Sequence, residues 1–267
     1  MILRFQQVSL MLLMLASLTA LCSAEDDKSG THSTKGVRHA KHLRGEIHPD
    51  RPEFSISSRT VARGRFQLEM DFELETEEAG ENAVFAPSAL IRTGLSPDLE
   101  LRLASDLLVF EGVESGLSNA TVGLKWHFKK GDPSLGLLAQ VRIPAGNPAF
   151  QVESAEPFVA LLADVPLGEN WEARVNLGAL SSRIEGERNV NALFSTALFT
   201  NLSKRLEFHV EMGRQATGER GGRPGLIADT GLSYSLNKET RIDLAVFRGL
   251  DENVYDWRYS LGFARRF

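Results

Sequence analysis

The sequence predicts an all-β fold: an antiparallel, up-and-down transmembrane β-barrel of about twelve strands. Three observations support this fold class. Apolar and polar residues alternate along many segments, short and long connections alternate between those segments, and the last segment ends in an aromatic residue. The mean composition, with 42% hydrophobic residues and a net charge of -5, is like that of a soluble protein. A barrel with an apolar outer face and a polar inner face averages to similar values, so this composition does not exclude it.

Composition excludes several other classes. The chain has 23 Gly and 10 Pro among its 267 residues, too few for a collagen-like or low-complexity protein. Its apolar fraction is too high for a disordered chain, and its one cysteine allows no intramolecular disulfide. No stretch reaches the roughly 18 to 20 consecutive apolar residues of a transmembrane helix. Among membrane folds, the β-barrel remains.

The amino terminus predicts an exported protein. An apolar run from Val8 to Leu21 follows Arg4, and the small residues Cys22 and Ala24 end it, as in a cleavable signal peptide over residues 1–24. Lipidation of Cys22 is the weaker alternative, because Leu21 stands where such a site needs a small side chain. We expect export from the cytoplasm and a location in the bacterial outer membrane.

Residues 25–59 predict a polar, disordered leader, because they show neither a helical nor a strand period. Four histidines in this stretch, His32, His39, His42 and His48, could together bind a metal ion. No carboxylate or thiol completes a typical ligand set with them, which favours a solvated leader without a metal site. The sequence leaves open whether this leader plugs the barrel.

The barrel itself is predicted over residues 60–267. In its first strand, Arg65 to Glu75, the apolar residues are Phe66, Leu68, Met70, Phe72 and Leu74, and every residue between them is polar. This period of two fits a strand with two different faces, whereas a helix would spread the same residues around its circumference. The last strand shows the same period, with one face formed by Tyr255, Trp257, Tyr259, Leu261, Phe263 and Phe267.

Ten further segments between these two fit strands by alternation, by length or by their flanking turn signals. They are Ala83–Leu95, Leu99–Phe110, Asn119–Phe128, Leu135–Ile143, Glu156–Val165, Trp171–Leu180, Ala192–Leu202, Arg205–Gly213, Leu226–Leu236 and Thr240–Gly249. Together with the first and last segments they make twelve strands. An even number is typical of bacterial outer-membrane barrels.

The connections between these segments alternate in length. Short turns are predicted at residues 96–98, 129–134, 166–170, 203–204 and 237–239. Longer polar loops are predicted at residues 76–82, 111–118, 144–155, 181–191 and 214–225, and only the last loop, 250–253, is short. Such alternation is typical of an outer-membrane barrel, with its turns in the periplasm and its loops outside the cell.

A soluble barrel of the lipocalin type is the main structural alternative. Its apolar face points inward, and alternation alone does not say which face is inside. Strand number favours the membrane barrel, because the interior of twelve strands is too wide to be filled by apolar side chains alone. Aromatic residues near the strand ends also fit the interfacial belts of a membrane protein. They are Trp126, Phe128, Trp171, Tyr234, Tyr255, Trp257 and Phe267.

The last strand closes on Phe267. It resembles the terminal strand by which bacterial outer-membrane proteins are recognised, so we expect the barrel-assembly machinery as a partner. Outer-membrane lipid and a small-molecule solute are the other expected partners, and nucleic acid is not expected.

If the polar faces point inward, charged side chains line the lumen. The candidate lumen-lining residues are Glu69, Glu73, Arg92, Glu100, Arg102, Lys125, Arg142, Arg174, Asp229, Arg241, Asp243 and Arg258. Acidic and basic residues on this face nearly balance, which does not favour an ion-selective pore. Closure places the first strand beside the last, so we expect Glu69 and Glu73 near Arg258 or Arg266. These features favour a narrow or plugged conduit.

The sequence favours no enzymatic function. His127 and His209 are the histidines of the predicted barrel, and neither has a serine two residues later, as in outer-membrane phospholipases. The glycine-rich run Gly221 to Gly225 follows no buried parallel strand and opens no helix, so it does not indicate a phosphate-binding loop. We therefore expect no catalytic residues, no cofactor and no metal.

Several short motifs resemble one bacterial family. They are Asp50–Ser55, Val61–Leu74, Leu90–Leu95, Val122–Lys125, Val141–Gly146 and Asp229–Tyr234. On these motifs the stretch from Asp50 to Phe267 resembles the outer-membrane transporters associated with the MetA pathway of phenol degradation. The resemblance implies a channel for the passive passage of small molecules, hydrophobic or aromatic ones included. Two alternatives stay open: a closed structural or adhesive outer-membrane barrel, and a soluble periplasmic ligand-binding barrel.

Overall fold

A computed structural model describes residues 47–51, 54–76, 82–111, 114–215 and 224–267 of the chain. The predicted signal peptide, residues 1–24, lies outside the described residues. The predicted leader does so as well, up to residue 46.

Within the described residues the chain forms fourteen β-strands. They are β1 (Phe66–Thr76), β2 (Asn82–Gly94), β3 (Leu99–Asp106), β4 (Val109–Glu111), β5 (Glu114–Gly116), β6 (Ala120–Lys129), β7 (Ser134–Ile143), β8 (Glu156–Leu167), β9 (Trp171–Ile184), β10 (Glu187–Asn201), β11 (Leu206–Gln215), β12 (Gly225–Asn237), β13 (Thr240–Gly249) and β14 (Trp257–Arg266). No helix in the described part of the chain is long and apolar enough to cross a membrane.

Twelve of the described strands close into one antiparallel barrel, which confirms the predicted fold. Their order around the barrel is β1, β2, β3 and then β6 to β14. The barrel closes where β14 pairs with β1, from Gln67 opposite Arg266 to Thr76 opposite Trp257. The other two strands, β4 and β5, form a hairpin on the end of β2. Three-residue strands are too short to show a period, so the sequence did not predict them as separate strands.

Exposure along the strands is the reverse of that in a soluble protein. On β1, Gln67 and Glu69 are 1% exposed, whereas Phe66 on the opposite face is 45% exposed. On β6, Lys125 is fully buried and its neighbour Trp126 is 51% exposed. The polar faces therefore point into the barrel and the apolar faces point outward, as in an outer-membrane barrel.

Six of the seven aromatic residues predicted for interfacial belts are exposed on the outer face. They are Trp126, Phe128, Trp171, Tyr234, Trp257 and Phe267. For Tyr255 the prediction was wrong. Its side chain is 4% exposed and packs inside the barrel with Phe247. Tyr255 precedes the first residue of β14, so the alternation of that strand does not set its direction.

The short connections share one end of the barrel, which we call the turn rim, and the longer connections share the other end, the loop rim. One predicted loop differs. Residues 181–191 continue as β9 and β10, which meet in a tight turn at Glu185 and Gly186, with φ angles of 54° and 80°. These two strands contain 14 and 15 residues. Their hairpin therefore extends farther at the loop rim than the ten-residue β13 or β14.

Candidate functional site: the barrel lumen

A stretch of chain before β1 lies inside the barrel, and we call its residues 47–51 and 54–64 the inner segment. It enters at the turn rim, where the Ile47 amide donates to the Lys238 carbonyl oxygen at 2.9 Å. It leaves at the same rim, where Arg63 pairs with Gly94 of β2 as a parallel bridge. The leader predicted over residues 25–59 is therefore ordered over residues 47–51 and 54–59, because the barrel wall binds its polar groups.

Asp50 of the inner segment meets three cations of the wall. Its Oδ2 atom lies 2.7 Å from the Lys125 ammonium, 2.5 Å from the Arg102 guanidinium and 3.3 Å from the Arg92 guanidinium. None of these four side chains is more than 6% exposed. Burial alone would raise the pKa of the Asp50 carboxyl, but the three cations outweigh burial and hold the pKa well below its ordinary value. Asp50 is therefore ionised, and it joins the inner segment to β2, β3 and β6.

The wall carboxylates do not balance these three cations by themselves. Glu69 lies 2.9 Å from Arg92, and Glu100 lies 2.8 Å from Arg92 and 3.0 Å from Arg102. Two carboxylates of the wall thus face three cations, and Asp50 supplies the third negative charge. We call these six residues the Asp50 cluster. Because a buried charge without a partner is strongly destabilising, the cluster stabilises the position of the inner segment inside the barrel.

Wall side chains also bind the backbone of the inner segment. Asn176 accepts a hydrogen bond from the Ile56 amide at 2.6 Å and donates one to the Ile56 carbonyl at 2.9 Å. Its side chain thus pairs with both backbone groups of Ile56, as the backbone of a neighbouring strand would. Asp164 accepts from the Ser57 hydroxyl at 3.0 Å and from the amide and hydroxyl of Ser58 at 2.9 and 2.5 Å. Since buried backbone groups need partners, these contacts allow an irregular segment inside the barrel.

Two wall glycines provide room for the inner segment. A Cβ atom at Gly136 would lie 3.0 Å from the Ser58 carbonyl oxygen, and one at Gly213 would lie 2.8 Å from the Phe54 ring. Any larger residue at either position would press on the inner segment. Phe54 and Ile56 add apolar anchors, because Phe54 packs on the cluster that contains Phe247 and Ile56 packs on the cluster that contains Leu138.

Beyond the inner segment, in the half of the lumen nearer the loop rim, lies a cavity of about 360 Å³. The inner segment forms its floor with Asp50, Arg51, Phe54 and Ile56. Charged residues on one side include Asp71, Glu73, Asp106 and Arg258, and apolar residues on the other include Phe158, Leu180 and Leu193. The volume falls within the range of roughly 300–1,000 Å³ that is common for small-molecule sites. The cavity can therefore hold a small molecule that has both apolar and polar parts.

The structure places all twelve predicted lumen residues on the inner face, in separate groups around the wall. Five of them belong to the Asp50 cluster: Glu69, Arg92, Glu100, Arg102 and Lys125. The others pair elsewhere, as Arg258 with Glu73, Arg142 with Glu156, Arg174 with Asp164, Arg241 with Asp243, and Asp229 with His209. Of the contacts expected for Glu69 and Glu73 with Arg258 or Arg266, that of Glu73 with Arg258 is present at 3.4 Å, whereas Glu69 binds Arg92 instead. Arg266 instead pairs with Glu239.

Sequence reasoning missed Asp50 and Asp164 as functional residues. Asp50 fell in the predicted disordered leader, and its only signal was its place at the start of the Asp50–Ser55 motif. Asp164 lies on β8, where the inner face also carries Phe158 and Leu162, so no alternation marks that face. Among the described residues no group of three or more His, Cys, Asp or Glu side chains is arranged to hold a metal ion.

Three solved outer-membrane proteins share this fold. An outer membrane channel from Pseudomonas putida F1 has a TM-score of 0.61 at 13% identity, covering 83% of this chain and 100% of that chain. The KdgM porin, solved with disordered oligogalacturonate, has a TM-score of 0.52 at 10% identity, covering 74% of this chain and 99% of that chain. The NanC porin has a TM-score of 0.51 at 6% identity, covering 75% and 98%. At such identities the similarity shows the fold alone.

Comparison with curated protein sequences gives no significant match. The family model described as "Putative MetA-pathway of phenol degradation" matches residues 49–267. The match begins one residue before Asp50 and extends to the end of the chain, so it includes both the charged centre of the lumen and every barrel strand. Because it covers most of the sequence, the chain belongs to this family.

Proposed function

We propose that the protein is an outer-membrane channel for the passive passage of small molecules, hydrophobic or aromatic ones included, and that the inner segment closes it in the conformation described above. One observation carries this proposal. The cavity lies within a barrel whose outer face is apolar, and its floor is the inner segment rather than the barrel wall. Side chains of the wall hold this floor, but the floor is not itself a barrel strand, so it can be displaced without opening the barrel.

The cavity suggests the class of solute. Its charged side is largely paired, as in the contact of Arg258 with Glu73 at 3.4 Å, so it offers little excess charge of either sign to a passing ion. Phe158 and Leu180 on the opposite side offer an apolar surface. A small molecule with an apolar body and one polar group matches both sides. The phenol-degradation pathway in the family description and the channel and porin names of the similar structures are consistent with such a role.

The proposal includes a location and two partners. We infer that the predicted signal peptide directs export, that the apolar outer face contacts outer-membrane lipid, and that the barrel-assembly machinery recognises the last strand. Phe267 directly follows that strand and stacks on Phe66 of β1 with ring centroids 4.6 Å apart, which joins the two strands that close the barrel. Recovery of the protein in the outer-membrane fraction, with heat-modifiable migration on a detergent gel, is the expected result.

A closed structural or adhesive barrel is the second candidate. The buried Asp50 cluster favours it, because displacing the inner segment would leave wall cations without their partner. A soluble ligand-binding barrel is disfavoured by the exposed apolar belt, since a soluble monomer rarely exposes such a large continuous apolar surface.

A reversible lock on the inner segment separates these functions. The hydroxyl oxygens of Ser55 and Ser195 lie 2.6 Å apart inside the barrel, so the double variant Ser55→Cys/Ser195→Cys can form a disulfide between the inner segment and β10. We expect liposomes with the reduced variant to swell in a small neutral sugar, and liposomes with the oxidised variant not to swell. The single variant Ser195→Cys is the control and should not respond to oxidation.

The outcomes point to different conclusions. Equal swelling with the oxidised and reduced double variant would show that the inner segment does not close the channel. If the oxidised variant, the reduced variant and the wild-type protein all fail to give swelling, the result would instead support the closed structural barrel. An aromatic alcohol that slows sugar entry through the reduced variant would support the proposed solute class.

A further inference from the structure

Two arginines face each other on the outer surface of the barrel at the loop rim. Arg183 of β9 is directly opposite Arg188 of β10 in the strand register. Both side chains are exposed. They lie on the lipid-facing side, because side chains alternate along a strand and Arg183 shares its face with the exposed Leu177, as Arg188 does with the exposed Val190. Like charges directly opposite each other on neighbouring strands repel.

No carboxylate of the described chain pairs with either arginine. The nearby Glu153 is engaged by the turn of this hairpin, where it accepts hydrogen bonds from the amides of Glu185 and Gly186 at 2.8 and 3.0 Å. Arg188 donates to the Ser181 hydroxyl at 2.9 Å, which directs its guanidinium toward the barrel wall below the turn. The repulsion between the two guanidinium groups is therefore not offset by an acidic side chain, and an anion would offset it.

An apolar groove of about 630 Å³ lies on the same outer face, next to the two arginines. The residues that form it include Val141, Pro157, Val159, Ala179, Ser181 and Val190. Ser181 and Val190 are the cross-strand pair that follows the two arginines on this face. The small side chain of Ala179 forms a low point beside Val159 and Val190, which are 45% and 74% exposed. The groove and the two charges thus form one continuous surface.

We propose that this surface binds a phosphorylated, acylated glycolipid of the outer leaflet, with a phosphate on Arg183 and Arg188 and an acyl chain in the groove. The inference rests on the proposed outer-membrane location, in which the loop rim lies outside. Guanidinium groups donate paired hydrogen bonds to phosphate oxygens, and a phosphate between the two arginines replaces their repulsion with attraction. The acyl chain covers apolar surface at the same depth as the outer leaflet.

Native mass spectrometry of the full-length protein in detergent, titrated with diphosphorylated lipid A, tests the proposal. We expect the wild-type protein to retain lipid A and the double variant Arg183→Gln/Arg188→Gln to bind it at least about 10-fold more weakly, because two charge-assisted contacts are lost. The matched control is Lys204→Gln/Arg205→Gln, which removes the same charge from an exposed turn at the opposite rim. It should bind as the wild type does.

Two further comparisons test the parts of the site separately. Lipid A without phosphates should bind weakly to the wild type and equally weakly to Arg183→Gln/Arg188→Gln. The variant Ala179→Trp, which fills the groove without changing a charge, should weaken binding of both lipids. Wild-type affinity in the arginine variant or in Ala179→Trp would overturn the proposal, and so would phosphatidylglycerol or inorganic phosphate binding as tightly as lipid A.

Failure of this inference is distinguishable from failure of the proposed channel. Heat-modifiable migration shows first that each variant forms a barrel. A protein that passes sugar but shows no arginine-dependent lipid binding contradicts the lipid site alone. A protein that binds lipid A as expected but never passes solute supports the lipid site and contradicts the channel.

Discussion

The two halves of the lumen use the same kinds of side chains with opposite results. In the turn half, Asp50 and the three cations around it are at most 6% exposed, and the inner segment fills the space. In the loop half, Arg258 and Glu73 are each 14% exposed and border a cavity. The difference lies in what the chain adds to the wall, because the inner segment supplies a missing charge to the turn half. The inner segment thus occupies the turn half because it balances the charge there as well as because it fills the volume.

The boundary between the two halves lies at Arg51. Its guanidinium binds Asp71 of β1 at 2.9 Å and also contacts the Ser88 hydroxyl of β2. Arg51 is thus bound to the wall and also borders the cavity, with 24% of its side chain accessible. The inner segment therefore presents a charged surface to a solute that enters from the loop rim.

The largest effect is expected from Asp50→Asn, which removes the charge that distinguishes the turn half. The change leaves three buried cations against two carboxylates, and removing one partner of a buried ion pair costs about 3–5 kcal/mol. We expect the inner segment to leave the lumen more often and the open probability of single channels in planar bilayers to rise at least about tenfold, since each 1.4 kcal/mol is a factor of ten.

Two variants control this prediction. Asp251→Asn changes an exposed aspartate at the loop rim whose hydrogen bonds go to Leu226 and Asn253 and not to the inner segment, and its channels should open as rarely as those of the wild type. Asp50→Asn/Lys125→Met removes a cation together with the aspartate and should recover part of the closure, because it restores the charge balance. Equal opening of the single and the double variant would contradict the charge-balance explanation.

A smaller effect is expected from Ser58→Ala on the other side of the turn half. The variant removes the hydroxyl that Ser58 donates to Asp164, but it leaves the ion pair of Asp164 with Arg174 and the Asp50 cluster intact. We expect the inner segment to lose about 2 kcal/mol, the value typical of a hydrogen bond to a charged group. Proteolysis of the folded barrel, followed as cleavage within the inner segment, measures this loss. Cleavage at the wild-type rate would show that the Ser58 hydroxyl does not hold the segment.

The difference between the halves also explains what the sequence could predict. The wall of both halves was predictable, because polar and apolar residues alternate on β1 and β14 and so indicate one face toward the lumen and one toward the outside. The contact of Glu73 with Arg258 followed from the pairing of the first strand with the last. The occupant of the turn half was not. Asp50 contacts Arg102 and Lys125, which are 52 and 75 residues away, and the leader has no period that would reveal such contacts.

The same reasoning explains the gaps within the wall. The inner face of β8 carries Phe158, Ala160 and Leu162, because Ile56 of the inner segment packs against that side of the lumen. An inner face that packs on protein is apolar, so alternation disappears on β8 and Asp164 goes unnoticed. Tyr255 is a similar case, since it packs inward on a cluster that also contacts Phe54. Alternation in the sequence thus predicts strand faces in contact with lipid or water better than strand faces in contact with the inner segment.

A solute-sized change in the loop half tests whether the cavity is on the path. Thr121 is half-buried on β6 and lines the cavity opposite Arg142. In the open background of Asp50→Asn, we expect Thr121→Trp to slow liposome swelling several-fold for sugars, because the indole occupies cavity volume. Thr196→Trp places the same side chain on the outer face of β10 and should leave swelling unchanged. Equal swelling with Thr121→Trp and Thr196→Trp would mean that solutes bypass the cavity.

The smallest effect is expected at the exposed rim, where an ion pair resembles those of the turn half without their burial. Glu239 lies in the turn between β12 and β13, and its carboxylate is 2.6 Å from Arg266 and 3.3 Å from Arg65. The hydrogen bond from Arg266 and the charges of both arginines hold the pKa of Glu239 below its ordinary value. Its side chain is 39% exposed, so solvent screens the pair strongly.

A depressed carboxyl pKa stabilises the fold above the unfolded pKa of about 4.3, and this stabilisation is lost as the pH falls through the lower folded pKa. Urea unfolding from lipid vesicles should therefore show Glu239→Gln less stable than the wild type by about 0.2–1 kcal/mol at neutral pH, with the difference shrinking below about pH 4. The control is Glu169→Gln, which removes a carboxylate from another exposed short turn and should be as stable as the wild type at neutral pH. A difference for Glu239→Gln that persists unchanged in acid would mean that the rim pair contributes by packing and not by charge. In that case the rim pair would not be a solvent-screened counterpart of the buried ion pairs in the Asp50 cluster.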